Sequence, residues 1–298
     1  MKEYTTDSIR NIALIGHSSS GKTMMAEAFL YFSGATTRMG QIEDGTTTSD
    51  FDEEEVRRAL SLYTSVIPIE HKKTKVNLLD TPGYTDFVGE VISALSVADG
   101  ALVLLDSLAG VEVGTEIAWR YCDQFNLPRA VVVNQMDRDN ANLTKVLDSL
   151  ETFSETRLIK LQLPWGERND FKGVIDILSN KAYEADGKTA VDIPADFADA
   201  VEEARMELIE AAAEGDDALL EKYFEGEELS DAEIASGLKK VFLAGEFIPV
   251  FVAAAGNNIG TGPLLDALVN LMPSPAERPD VVAQNAHGDE VSISPDDD

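Results

Sequence analysis

Residues 12–23 read Ile12-Ala13-Leu14-Ile15-Gly16-His17-Ser18-Ser19-Ser20-Gly21-Lys22-Thr23. A short apolar run stops at a glycine, and apolar residues at helical spacing follow from Gly21 to about Phe32. The loop between them therefore joins a strand to a helix. It has the form G-x-x-x-x-G-K-T, whose backbone N–H groups and following helix N-terminus cradle phosphate oxygens. Lys22 reaches the β- and γ-phosphates of such a ligand, and the Thr23 hydroxyl suits Mg²⁺. The phosphate-binding set is Gly16, His17, Ser18, Ser19, Ser20, Gly21, Lys22 and Thr23, and the expected ligand is a nucleoside triphosphate.

Two further turns follow strand-like runs. Residues 76–79 (VNLL) end in Asp80-Thr81-Pro82-Gly83. An acid at that strand end suits the water-mediated Mg²⁺ role, and a glycine lets its amide approach a γ-phosphate with no Cβ in the way. Residues 130–133 (AVVV) end in Asn134-Gln135-Met136-Asp137. A carboxylate at Asp137 can accept two hydrogen bonds from guanine N1–H and N2–H₂, an edge on which adenine offers no such pair. Asn134 would tie this base loop to the phosphate loop. The usual pattern is N-K-x-D, so Gln135 is a departure that loses the lysine stem flanking the base. After a later run, 248–253, the small residues Ala254 and Ala255 stand where a backbone amide would meet guanine O6.

Three such motifs in this order mark a P-loop GTPase. Strands alternate with helical stretches at 87–98 and 113–125, which implies an α/β fold with a doubly wound, mostly parallel sheet. Ligands of such sheets sit at the carboxyl ends of the strands, where all three motifs fall. Residues 158–250 break the rhythm. A β-like piece at 173–177 precedes helical patterns at 196–213, 217–224 and 230–244, the last opened by a Ser230–Glu233 capping box. The organisation read here is a GTP-binding core at 1–157 and 251–275, an inserted α+β subdomain at 158–250, and an acidic linker or tail at 276–298.

The chain has 298 residues and a formal net charge of −30. Residues 1–150 hold 22 acids and 13 bases, against 32 and 11 in 151–298. That balance argues against DNA, and against this segment alone gripping RNA or an anionic membrane. Residues 202–228 hold eleven acids and two bases, read as a solvated helical face in preference to a docking surface. The single cysteine, Cys122, lies in a helical stretch and reads as a buried structural thiol in a reducing compartment. Neither a signal peptide nor an apolar run of about 20 residues occurs, so a cytoplasmic location is expected.

The remaining motifs place the chain among relatives. Arg57-Arg58-Ala59-Leu60-Ser61-Leu62 resembles the R-G-I-T-I of translation elongation factors, which puts Ser61 at the Mg²⁺-binding threonine. Asp52 to Glu55 reads as a solvated helix start. DTPGYTDFV at 80–88 resembles the DTPGHVDF of bacterial elongation factor G. FKGVID at 171–176, DIPA at 192–195, LEKYFEGEELSD at 220–231 and PLLDALVNLMPSP at 263–275 extend the resemblance. Together with the insert, they make the chain similar to the first domain of that family.

The resemblance implies a monomeric GTPase that binds GTP and GDP with Mg²⁺ (Thr23, Ser61 and Asp80) and works on the ribosome. It implies that a second domain would follow the tail, with ribosome contact through such further domains or through acidic insert helices meeting a basic ribosomal protein. The departures imply a divergent paralogue. Ser19 replaces the aspartate of the family's A-H-I-D-A-G-K-T. Tyr84, beside Gly83 in the catalytic pair, replaces the histidine that positions the attacking water. A phenol is a poor base near neutral pH and cannot carry positive charge. The alternative is a GTP-dependent ribosome-binding switch, or a ribosomal-protection-type factor, in which hydrolysis is weak or vestigial.

Overall fold

The computed structural model describes residues 2–295; Met1 and Asp296, Asp297 and Asp298 of the acidic tail lie outside them. The central sheet has seven strands. In chain order they are β1 (Ile9–Ile15), β2 (Ser65–His71), β3 (Thr74–Asp80), β4 (Gly100–Asp106), β5 (Arg129–Asn134), β6 (Arg157–Lys160) and β11 (Phe247–Val252). Their spatial order is β2-β3-β1-β4-β5-β11-β6. All neighbours are parallel except the β2/β3 pair at one edge. The sequence reading did not separate β2, because a strand open to solvent on one face has only a weak apolar pattern.

Helices cover both faces. Against one lie α1 (Lys22–Ser33) and α9 (Thr261–Leu271); against the other lie α3 (Val88–Leu95), α4 (Val113–Gln124) and α5 (Leu143–Phe153). Strands β4 and β5 are buried almost throughout, since both of their faces meet helices. Cys122 on α4 is fully buried, and burial pushes its thiol pKa up to about 12, which makes it inert packing.

The inserted region holds a second sheet, β10-β9-β8-β7, made of β7 (Gln162–Trp165), β8 (Gly173–Asp176), β9 (Lys181–Glu184) and β10 (Ala190–Val191). Three helices follow: α6 (Ala198–Glu214), α7 (Asp217–Glu225) and α8 (Asp231–Leu243). Ser230 and Glu233 form the capping box that opens α8. The central sheet takes residues 158–160 and 247–250, which the sequence reading assigned to the insert. Strand β6 pairs with β11 through Leu158, Ile159 and Lys160, because its Ile159 needs the same apolar layer. The insert also shares a core: Ile175, Leu208, Leu238 and Phe242 belong to one apolar cluster with Ile12, Leu14 and Phe29. The acids of 202–228 point outward around it. Beyond α9 the chain forms a hairpin of β12 (Val281–Gln284) and β13 (Glu290–Ile293), where the sequence reading had only linker. None of the described helices is long and apolar enough to cross a membrane.

Candidate functional site

Strand β1 ends at Ile15, and residues 16–21 turn into α1 at the carboxyl edge of the sheet. The Lys22 ammonium is buried and folds back over the loop, donating to the carbonyls of Gly16 (3.1 Å) and His17 (2.8 Å). Burial lowers its pKa to about 8, against the opposing pull of Asp80 and Asp50. A bound phosphate would supply the counter-charge that the loop carbonyls supply only in part. One residue on, the Thr23 hydroxyl donates to Asp80 Oδ2 at 2.9 Å and lies 3.3 Å from Ser61 Oγ. Thr23, Ser61 and Asp80, drawn from α1, the loop after α2 (Glu53–Arg58) and the end of β3, therefore meet at one point. Gly83 comes so close to the phosphate loop that a Cβ would sit 2.5 Å from Lys22 Nζ and 2.7 Å from Ser18, which only glycine permits.

Asn134, at the end of β5, donates from Nδ2 to the Ser20 carbonyl at 2.9 Å and accepts from the Ala255 amide at 3.0 Å. It joins the base loop, the phosphate loop and the loop after β11. Gln135 Nε2 reaches the Ser19 carbonyl at 2.8 Å. Asp137 is half exposed beside these residues and accepts from Asn257 Nδ2. One placement differs from the sequence reading. Both alanine amides are spent inside the protein, that of Ala254 on the Ile259 carbonyl and that of Ala255 on Asn134. In this structure these alanine amides hold the loop together, and Gly256 beside them is exposed.

Residues 7–274 match the elongation factor Tu GTP binding domain. The chain belongs to that family. It is a GTP-binding translational GTPase domain, and the residues described above fall within the matched segment. The chain also matches a crystal structure of a protein from Thermus thermophilus, at 36% identity and a TM-score of 0.85. The match covers 96% of this chain and 45% of that protein, so the chain spans less than half of its neighbour's length.

Within this GTPase domain the oxygen set fits a hard divalent cation. Asp80 Oδ1 and the adjacent Ser49 hydroxyl are buried without a hydrogen bond of good geometry. No cluster of three His, Cys, Asp or Glu side chains suited to a metal occurs among the described residues. The cation would thus be held by the Thr23 and Ser61 hydroxyls, through Asp80, and by phosphate oxygens of the nucleotide. Asp50, which the sequence reading missed, is buried in the same place. Burial raises its carboxyl pKa, while Ser61 and Lys22 lower it. Its only sequence signal was its position in the segment between α1 and β2.

Tyr84 follows Gly83 and stands 45% exposed at the cleft that Ser18, Lys22, Thr23 and Ser61 line. His17 is turned away from that cleft. Its Nδ1 accepts from the Gly114 amide at 3.2 Å and its Nε2 lies 3.6 Å from Glu112. The acids at 52–55 divide. Asp52 caps α2, Glu53 and Glu54 face outward, and Glu55 is buried, so the stretch is a solvated helix start only in part. A second cavity, lined by Trp119, Arg129 and Phe242, lies at the opposite edge of the sheet. Its Arg129 already stacks on Trp119 and pairs with Asp123.

Proposed function

We propose that the chain is the nucleotide-binding, GTP-hydrolysing part of an elongation factor G-like translational GTPase that acts on the ribosome in the cytoplasm. The observation that carries this reading is the convergence of Thr23, Ser61 and Asp80 beside Lys22, with Asn134 and Asp137 adjoining at the base end. The insert and the motifs shared with elongation factor G favour that branch over relatives without an insert.

Lys22 and the amides of the phosphate loop neutralise and orient the triphosphate. Asp137 accepts the guanine N1–H and N2–H₂. The Gly83 amide faces the γ-phosphate, and Tyr84 orients the attacking water without serving as its base. Thr23, Ser61 and Asp80 would hold a Mg²⁺, which would supply charge neutralisation of the triphosphate.

A second reading, a GTP-dependent switch with vestigial hydrolysis, is favoured by the placement of His17. Its imidazole is committed to the start of α4, so it does not replace the family's histidine at position 84. Single-turnover GTP hydrolysis, with and without ribosomes, separates the two. Ribosome stimulation and a faster Tyr84→His variant are expected; neither effect appearing would leave only the switch. Asp137→Asn should shift preference from GTP to XTP, and equal wild-type affinity for ATP and GTP would overturn the base assignment.

A further inference from the structure

Gln135, the departure from N-K-x-D, is hydrogen-bonded to Arg138. Gln135 occupies the lysine position of N-K-x-D. Its Nε2 donates to the Ser19 carbonyl at 2.8 Å, and its Oε1 accepts from Arg138 Nη1 at 2.9 Å. The same Arg138 nitrogen donates to Asp106 Oδ2 at 2.8 Å, at the end of β4. Asp106 Oδ1 is fixed in turn by the amides of Leu108 (2.7 Å) and Ala109 (3.2 Å). A continuous chain thus runs from the β4 terminus through Arg138 and Gln135 to the phosphate loop.

Two residues of this chain are held under backbone strain. Ser19 (φ 65°) and Gln135 (φ 62°) both adopt the left-handed region, which side-chain-bearing residues avoid. The Ser107 hydroxyl donates to the Gln135 carbonyl at 2.7 Å and keeps that backbone in place. Strain of this kind persists where surrounding contacts over-determine it, as they do here.

We propose that Arg138 is a positioning residue for the guanine nucleotide. It supplies, through Gln135, the positive charge that the family's lysine carries itself, and so clamps the base loop to the phosphate loop and slows nucleotide release. The guanidinium polarises the Gln135 amide, and hydrogen bonds in series strengthen one another. The inference rests on the guanine-nucleotide reading above. Arg138 is half exposed, so solvent screening limits the effect to about two- to fivefold in release rate.

The test is the dissociation rate of a fluorescent GDP from the 298-residue chain, chased with unlabelled GDP. Arg138→Ala should release it about two- to fivefold faster. Arg138→Gln, which keeps a donor but no charge, should behave similarly and serves if the alanine variant folds poorly. The decisive variant is Arg138→Ala combined with Gln135→Lys. Restoring the charge at position 135 should return release to the wild-type rate, whereas a merely structural Arg138–Asp106 contact would not be rescued. Unchanged release in both single Arg138 variants, or fast release without rescue, overturns the relay. Failure of the wild type to prefer fluorescent GDP over fluorescent ADP instead overturns the guanine reading on which it rests.

Discussion

Asp80 is held in a conflict between burial and the groups around it. Burial raises its pKa to about 6, with Asp50 adding to the rise, while Lys22, Thr23 and Ser49 oppose it. Between the unfolded value of 3.8 and about 6 the folded state binds a proton that the unfolded state lacks, so Asp80 makes stability fall as pH rises through that window. Lys22 runs the other way. Its folded pKa of about 8 lies below the unfolded 10.5, so its contribution rises with pH between those values. Asp80→Asn should therefore flatten the acid-side slope of stability against pH, seen in melting curves from about pH 4 to 8. The same variant should weaken Mg²⁺-dependent nucleotide binding, because an amide is a poor substitute for the carboxylate. The place of Asp80 at a strand end was legible from an apolar run followed by D-T-P-G. Asp50 was not, since its burial depends on how the segment around it packs.

At the scale of an element, the segment between α1 and β2 is pinned by carboxylates. Glu27 on α1 accepts from the amides of Gly40 and Thr48. Glu55 accepts from those of Leu62 (2.9 Å), Tyr63 (3.1 Å) and Asp52 (3.2 Å). Glu90 on α3 accepts from Thr64 at 2.8 Å. These bonds place Ser61 beside Thr23. Glu55→Ala strands two adjacent amides, at a cost of about 1–3 kcal/mol. Hydrogen exchange should then speed up across residues 59–64, with weaker Mg²⁺-dependent nucleotide binding, while Glu55→Gln, which keeps an acceptor, recovers part of both. Normal exchange there in the alanine variant would show that Glu55 does not hold the segment. In the sequence, Asp52, Glu53, Glu54 and Glu55 are four adjacent acids with one common reading, and only packing separates the inward one.

Across the whole molecule, the insert and the nucleotide-binding sheet share apolar side chains. Leu208 on α6 is fully buried in the cluster that includes Phe29 of α1. Leu208→Ala should cost about 2–5 kcal/mol. Circular dichroism and release of fluorescent GDP should show one coincident transition at a lower temperature. Two separate transitions would show that the insert melts alone. The alternation of strands with helices, the phosphate loop, the Asp80 and Asn134 turns and the capping box of α8 were determined by the sequence itself, because each rests on local backbone chemistry and on the period of nearby apolar residues. The tertiary structure decided the rest: β6 in the central sheet, Asp50 and Glu55 turned inward, the Ala254 and Ala255 amides consumed, and Arg138 beside Gln135. Those outcomes depend on which distant groups compete for the same buried space and the same hydrogen bonds, and one-dimensional spacing does not encode that competition.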